Sequence, residues 1–172
     1  MKTIIEFKNR PFLPSDAHVC LSLRTDAFKG LFVKEIGENA AQAGIEAYTP
    51  QDIIFLAENN PFFVAETLNK ITGFIGSKIH DKSTIEILFL YVDLNFLHRG
   101  IGSELLLHFE EYVRTNLTDI DTIIVDTIIP KYNQKFYEKM GYVKVGMSFC
   151  DYPSAKIRAV RLEKSKFHAL FF

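Results

Sequence analysis

The chain of 172 residues carries a formal net charge of -1 and is 48% hydrophobic. That length and composition suit one domain with a substantial core, so residues 1–172 are expected to form a single domain. The near-zero charge excludes a general attraction to nucleic acid or to anionic membranes and favours a small-molecule partner. No apolar stretch approaches the roughly 20 residues of a membrane span, and the N-terminal apolar run is too short for a signal peptide. Two cysteines without a CxxC pair, and histidines without metal-site spacing, predict a cytoplasmic protein with no metal.

The N-terminal third is predicted to be mainly helical. Residues 3–7 are typical of a short strand, and a helix should follow from Ser15, as N-cap, to Gly37, with a bend near Gly30. The apolar residues that favour this helix lie near helical spacing, at Val19, Leu23, Ala27 and Leu31. Residues 38–48 have no clear periodicity and stay ambiguous.

A second short helix is predicted after the ambiguous segment. Thr49 is a suitable N-cap, Pro50 suits the first helical position, and Asp52 completes a pattern that resembles a capping box. The sequence therefore predicts a helix from residue 50 to about residue 60.

From residue 61 the pattern changes to strands. Residues 61–66, 71–80 and 84–93 are rich in β-branched and aromatic residues and are separated by polar turns, which predicts three antiparallel strands. An amphipathic helix at 103–116 and a buried strand at 121–128 follow. Strand, helix and strand then form a right-handed βαβ crossover, so its two strands should be parallel.

The last elements complete a mixed α/β fold. A short helix is predicted at 131–141, followed by strands at 142–149 and 156–164. The expected fold class is therefore α/β (α+β), with a mostly antiparallel sheet of about seven strands flanked by about four helices.

The segment HRGIGS, residues 98–103, is the clearest functional signal. It joins a strand to a helix N-terminus, where free backbone N–H groups and the helix dipole favour an anion such as phosphate. Gly100 and Gly102 also fit a tight turn without any ligand. A Walker loop would need GxxxxGK[ST], and a dinucleotide fingerprint would need a third glycine where Leu105 stands, so both are excluded.

Two longer segments resemble a known family. LYVDLNFLHRGIGSELL resembles motif A of the GNAT superfamily of acetyl-CoA-dependent N-acetyltransferases, whose loop has the form [Q/R]xxGx[G/A]. NQKFYEKMGY, residues 133–142, resembles motif B of that superfamily. The resemblance extends from about residue 61 to about residue 146. It implies that the fourth and fifth strands are parallel but splayed, and that acetyl-CoA is the cosubstrate.

The resemblance also implies a set of cofactor-binding residues. Backbone groups of Leu90 and Val92 would hold the pantetheine arm like an added strand. The other implied cofactor-binding residues are His98, Arg99, Gly100, Ile101, Gly102, Ser103, Asn133 and Lys139. Asn133 also suits a simple helix cap, and Lys139 a solvated helix surface. The chain departs from motif A at Leu97, which replaces the motif's first Gln or Arg and offers no hydrogen bond to pyrophosphate.

Two residues are expected to transfer protons. An amine is mostly protonated at pH 7, so a general base is useful, and Glu86 interrupts an apolar strand fourteen residues before Gly100, where some superfamily members carry that base. Tyr137 matches the superfamily tyrosine that is assigned as general acid to the departing thiolate. Glu86 also fits a solvated strand face, and Tyr137 a packed aromatic residue. Cys150 is expected to be a structural thiol, because nothing in the sequence pairs it with a base.

The acceptor, the activity and the oligomeric state stay open. By resemblance the first two helices shape the acceptor cavity, where aromatic residues and carboxylates occur: Phe28, Phe32, Tyr48, Phe55, Glu35, Glu38 and Glu46. The leading interpretation is an N-acetyltransferase acting on a small-molecule or peptide amine. The alternative is a catalytically silent acyl-CoA-binding sensor or regulatory module. The apolar tail at 167–172 makes a homodimer a further possibility.

Overall fold

A seven-stranded sheet with helices on both faces organises the chain, and the computed structural model describes residues 6–128 and 133–165. The strands are β1 (Lys8–Pro11), β2 (Phe62–Thr67), β3 (Lys70–Ile79), β4 (Thr84–Val92), β5 (Thr122–Ile128), β6 (Val143–Tyr152) and β7 (Ala155–Ser165). The helices are α1 (Ala17–Ala27), α2 (Val33–Ile36), α3 (Glu38–Glu46), α4 (Pro50–Asn59), α5 (Ile101–Asn116) and α6 (Asn133–Lys139). The expected mixed α/β fold is confirmed.

The sheet has the order β1-β2-β3-β4-β5-β7-β6. Every neighbouring pair is antiparallel except β4 and β5, which are parallel and joined through α5. That pairing runs only from Thr84 opposite Thr122 to Ile87 opposite Val125, and the two strands then separate. The predicted βαβ crossover and the predicted splay are both present.

Each face of the sheet has its own core. Leu105, Leu106 and Phe109 of α5 pack against one face, where α6 also lies, and α1 and α4 cover the other face, around Ile53 and Phe89. Strand β4 contributes to both cores, because successive side chains of a strand point to opposite faces. Among the described residues, no helix is long and apolar enough to cross a membrane.

The start of the chain differs from the prediction. The described strand β1 begins at Lys8. Of the strand expected at 3–7, residues 3–5 lie outside the described residues, and residues 6 and 7 precede β1. Strand β1 is an edge strand held to β2 by its backbone, so it needs no apolar run. Ser15 does not cap α1, because a 3-10 turn, Pro14–Asp16, precedes the helix.

Only two of the four apolar residues that were predicted to form the buried face of the first helix are buried. Leu23 and Ala27 are buried as expected, whereas Val19 and Leu31 are exposed. Cys20 and Arg24 are buried instead, and the sequence pattern had not counted either of them as a core residue. The buried face of α1 therefore contains a cation.

The ambiguous segment forms α3, and the predicted bend before it is a π-helical stretch, Phe28–Phe32. Gly37, at φ +83°, separates α2 from α3 in a left-handed conformation that suits glycine. Gly44 lets α3 approach this π-helical stretch, since a Cβ there would clash with the Phe28 ring. At the start of α4 the Thr49 side chain accepts a hydrogen bond from the backbone of Asp52, so the predicted capping box is present.

Candidate active site

A cleft opens where β4 and β5 separate. The cleft is open to solvent. Its walls are formed by both strands, the π-helical stretch after α1, α6 and β6. The lining residues are Phe32, Ile87, Leu88, Phe89, Leu90, Tyr91, Val125, Asp126, Thr127, Ile128, Tyr137, Cys150 and Tyr152. Beyond Ile87 and Val125 neither strand has the other as a partner. The free edges of β4 and β5 therefore offer backbone groups to an extended ligand.

The predicted phosphate loop lies at the start of α5. Gly100 has φ +88° and is the N-cap of the helix, without any side-chain cap. The first backbone N–H groups of Ile101, Gly102 and Ser103 have no partner within the helix. His98, Arg99 and Gly100 are exposed, and the Arg99 guanidinium lies 5.4 Å from the Phe96 ring centre. The loop has the geometry of an anion site at the N-terminus of a long helix.

Gly102 lies where the loop, β4 and α6 converge. A Cβ at this position would lie 3.7 Å from Val92 and 3.8 Å from Phe136, both ordinary contact distances. The protein alone therefore tolerates a small side chain at Gly102. If a larger side chain at Gly102 weakens ligand binding, the cause would be a clash with the ligand in front of the loop and not a clash within the protein.

We expect Gly102→Val to raise the dissociation constant of acetyl-CoA at least about tenfold, because its methyl groups would intrude where phosphate oxygens meet backbone amides. Titration calorimetry measures this. Gly102→Ala is the matched control and should stay close to the parent, since its single methyl group meets only ordinary contacts. Neither substitution should weaken the helix, because both residues have a higher helix propensity than glycine. An affinity of Gly102→Val within twofold of the parent would contradict a phosphate site at this loop.

Among the other predicted cofactor contacts, Leu90 and Val92 lie on the strand that borders the cleft. Leu90 pairs with Ile75 on β3, which leaves its other strand edge toward the gap. Lys139 is exposed at the end of α6. Asn133 begins α6, but its side chain lies outside what the structure describes.

Tyr137 reaches the cleft from α6 and is 4% exposed. Its ring packs edge-on against Phe136 and Tyr142, with centroid distances of 5.1 and 5.3 Å. Burial raises the pKa of Tyr137 well above its usual value, and the neighbouring Tyr91 adds to the rise. The hydroxyl therefore keeps its proton at neutral pH and can donate a hydrogen bond to a negative group in the cleft.

Glu86 directly precedes the cleft-lining residues of β4, and its side chain is 15% exposed. Its carboxylate contacts Nε2 of His80, whose side chain is 41% exposed. Glu86 pairs with Ile124, so it lies on the same sheet face as Asp126, two residues further along β5. The structure therefore connects the predicted base to solvent through an imidazole, which the sequence had not indicated.

Asp126 is a second carboxylate at the cleft that the sequence analysis missed. Nε and Nη2 of Arg161 donate to its two oxygens at 2.8 and 2.7 Å, and the Ser148 hydroxyl donates at 2.9 Å. These three bonds fix the carboxylate in the wall of the cleft. Asp126 and Arg161 are 35 residues apart in sequence, and only the pairing of β5 with β7 brings them together.

Cys150 lines the cleft as a protonated thiol. Burial, together with the charges of Asp126 and Glu86, raises its pKa to about 11. Because only the thiolate is nucleophilic, the thiol is poorly suited to attack a thioester at neutral pH.

We expect alkylation of Cys150 by iodoacetamide to accelerate through pH 9.5 without levelling off, because its thiolate fraction still grows about tenfold per pH unit below pH 11. Peptide mass spectrometry as a function of pH measures the rate at this site. Cys20 is the internal control and should react still more slowly, since burial raises its pKa to about 12. A plateau near pH 8.5, where an ordinary thiol titrates, would contradict the assignment.

The splayed parallel strands, the glycine loop before α5 and a buried tyrosine on the following helix are the features that the two sequence motifs had predicted. The model of the Acetyltransferase (GNAT) family matches residues 24–142. The chain belongs to this family of N-acetyltransferases, as the two motifs had indicated.

Solved structures agree on the fold. A GCN5-related N-acetyltransferase from Rhodopseudomonas palustris superposes with a TM-score of 0.80 at 18% identity, covering 96% of this chain and 99% of that one. PaiA N-acetyltransferase from Thermoplasma acidophilum, in complex with coenzyme A, gives 0.79 at 20% identity, with 94% and 99% covered. Ard1 from Thermoplasma volcanium gives 0.72 at 22% identity, with 92% and 97% covered. Among curated protein sequences, none shows significant similarity to the chain.

Proposed function

We propose that this protein transfers an acetyl group from acetyl-CoA directly to the amine of an acceptor. The observation that carries the proposal is the cleft between β4 and β5, which has free strand edges and Tyr137 inside it. The open N-terminus of α5 lies beside Val92, at the end of β4. The fit to acetyl-CoA rests on this arrangement: the loop supplies backbone donors for the pyrophosphate, and the strand edges supply donors and acceptors for the amide-bearing arm.

In this proposal Glu86 removes the proton of the acceptor amine. Its low exposure and its place beside the cleft suit a base, and His80 offers an exit for the proton to solvent. Tyr137 donates its hydroxyl hydrogen bond to the sulfur as the thiolate leaves, and a backbone N–H near Val92 stabilises the oxyanion. The resulting transfer is a single displacement that needs no nucleophile on the protein.

Measuring CoA thiol release over a panel of amines tests the proposal against the silent-module alternative. The proposal expects amine-dependent release of one thiol per acetylated amine. Binding of acetyl-CoA without release for any amine would favour a sensor or regulatory module that uses the same cleft.

Three wider expectations stay proposals: a single domain over residues 1–172, a cytoplasmic setting, and a homodimer formed through residues 167–172. The tail lies outside the described residues. Sedimentation of the full chain beside a version ending at Lys166 tests the dimer, which predicts a lower mass for the shortened chain. Equal masses would remove it.

A further inference from the structure

Arg24 is a buried cation that forms no ion pair with any described carboxylate. Its side chain is among the largest fully buried ones, and the residue is 2% exposed. Nη1 donates to the backbone carbonyl of Gly44, whereas Nε has no hydrogen-bond partner. Within residues 6–128 and 133–165, no carboxylate lies within 4.0 Å of its guanidinium. Burial of an uncompensated charge is costly, so the site has an unmet requirement for an anion.

Aromatic rings surround the guanidinium. Its central carbon lies 4.6 Å from the ring centre of Phe28, 5.2 Å from that of Tyr48 and 5.9 Å from that of Tyr152. Cation–π attraction holds Arg24 in place and offsets part of the desolvation. This attraction does not neutralise the positive charge of Arg24, which lies in a region where electrostatic interactions are weakly screened.

The Arg24 site borders the cleft. Tyr152, Tyr91 and Cys150 line the cleft, and the guanidinium carbon of Arg24 lies behind this wall, 5.9 Å from the ring centre of Tyr152. Burial raises the pKa of both tyrosines, and Arg24 opposes the rise. Both hydroxyls therefore stay protonated at neutral pH and can donate to a ligand. Tyr91 also stacks on Phe74 with a centroid distance of 5.7 Å, which fixes its ring.

We propose that the acceptor is an amine that also carries a carboxylate, and that Arg24 with the hydroxyls of Tyr91 and Tyr152 binds this carboxylate. The inference rests on the proposed acetyl transfer and names its acceptor class, an amino acid or a compound of the same charge pattern. The distribution of charge supports it: Glu86 and Asp126 lie on the sheet face that α1 covers, and α1 carries Arg24. One acceptor on this face can therefore direct its amine to a carboxylate and its own carboxylate to the guanidinium. Asp126 is already neutralised by Arg161, so Arg24 is the charge left for the ligand.

Matched acceptors test the carboxylate. Each of a panel of amino acids is paired with its carboxamide, and kcat/KM is measured for both with the parent and with Arg24→Gln. The acid-to-amide ratio should fall by about 10- to 100-fold in the variant, which is the usual worth of a hydrogen bond to a charged group. The different amine pKa values of acid and amide cancel, because they are the same for both proteins. A ratio unchanged within twofold would overturn the proposal.

A second variant covers the possibility that Arg24→Gln does not fold, which circular dichroism would reveal. Tyr91→Phe keeps the stacked ring and removes one donor, so the acid-to-amide ratio should fall severalfold. Arg24→Lys keeps the charge and should retain part of the preference. If Tyr91→Phe and Arg24→Lys both leave the ratio unchanged, the carboxylate site is rejected.

A binding measurement separates this inference from the transfer itself. Calorimetry of N-acetylated amino acids and their carboxamides, with the parent protein saturated with CoA, should show at least about tenfold tighter binding of the acids. Arg24-dependent binding of the acids without any thiol release would reject the transfer and keep the carboxylate site. Thiol release with an acid-to-amide ratio independent of Arg24 would keep the transfer and reject the site.

Discussion

Glu86→Gln lowers kcat by about 10²- to 10⁴-fold if this carboxylate removes the proton of the acceptor amine, which is the usual contribution of a positioned general base. The residual rate should climb with pH, because the fraction of amine that is already deprotonated grows without help from the protein. The affinity for acetyl-CoA should barely change, since Glu86 lies on the helix α1 side of the sheet and away from the phosphate loop. Steady-state kinetics from pH 6 to about pH 9.5, with calorimetry of acetyl-CoA, measure all three.

The matched control for Glu86 is Glu111→Gln. Glu111 is an exposed carboxylate on α5, paired with Arg114, and has no contact with the cleft. It should keep the parental rate and pH profile. A Glu86→Gln enzyme with parental kcat and an unchanged pH profile would remove Glu86 from the mechanism. Attention would then pass to Asp126, the other carboxylate at the cleft.

Tyr137→Phe lowers kcat by about 10- to 100-fold if its hydroxyl stabilises the departing thiolate, since a hydrogen bond to a charged group has roughly that effect. Burial has raised the pKa of this phenol, so donation of a hydrogen bond is favoured over complete loss of its proton. The loss should therefore shrink with an acyl donor whose thiol is more acidic, because such a leaving group needs less stabilisation. The pH profile should keep its shape at neutral pH, where Tyr137 stays protonated in the parent.

Tyr142→Phe is the control for Tyr137. Tyr142 is also buried and packs against Tyr137, but it does not line the cleft. Its loss of a hydroxyl should leave the dependence on the leaving group unchanged. A Tyr137→Phe enzyme with parental turnover for every acyl donor would leave water as the proton donor and reduce Tyr137 to a packing residue.

The sequence predicts the central part of the fold well because the relevant signals are local. The apolar strand before Gly100, the amphipathic helix after it and the buried strand that follows define the βαβ unit from periodicity alone. Helix α3 was missed because its residues are small: Gly44 looks like a helix breaker, whereas the structure uses it for close contact with Phe28.

The candidate site was only partly predictable, for a physical reason. The glycines and the tyrosine belong to contiguous motifs, so the sequence displays them together. The surroundings of Arg24 and Asp126 are formed by residues that are distant in sequence. Arg24 lies among aromatic rings, and Asp126 pairs with Arg161. Arg24 lies in an amphipathic pattern, where a charged residue is usually solvated, so nothing in the sequence separates it from an ordinary surface charge. Asp126 interrupts a strand that was predicted to be buried, which was a usable signal, but its partner Arg161 could not be read from the sequence.

Transfer of a labelled acetyl group is the most direct test of acetylation by this protein. The protein is incubated with acetyl-CoA labelled with carbon-13 in its acetyl group and with the amino acid panel, and both the amines and free CoA are followed by mass spectrometry. We expect label to appear on the nitrogen of at least one amine, with one CoA released for each acetyl group, and Glu86→Gln to slow both together. Label that stays on CoA for every amine, while the protein still binds acetyl-CoA, would contradict this expectation.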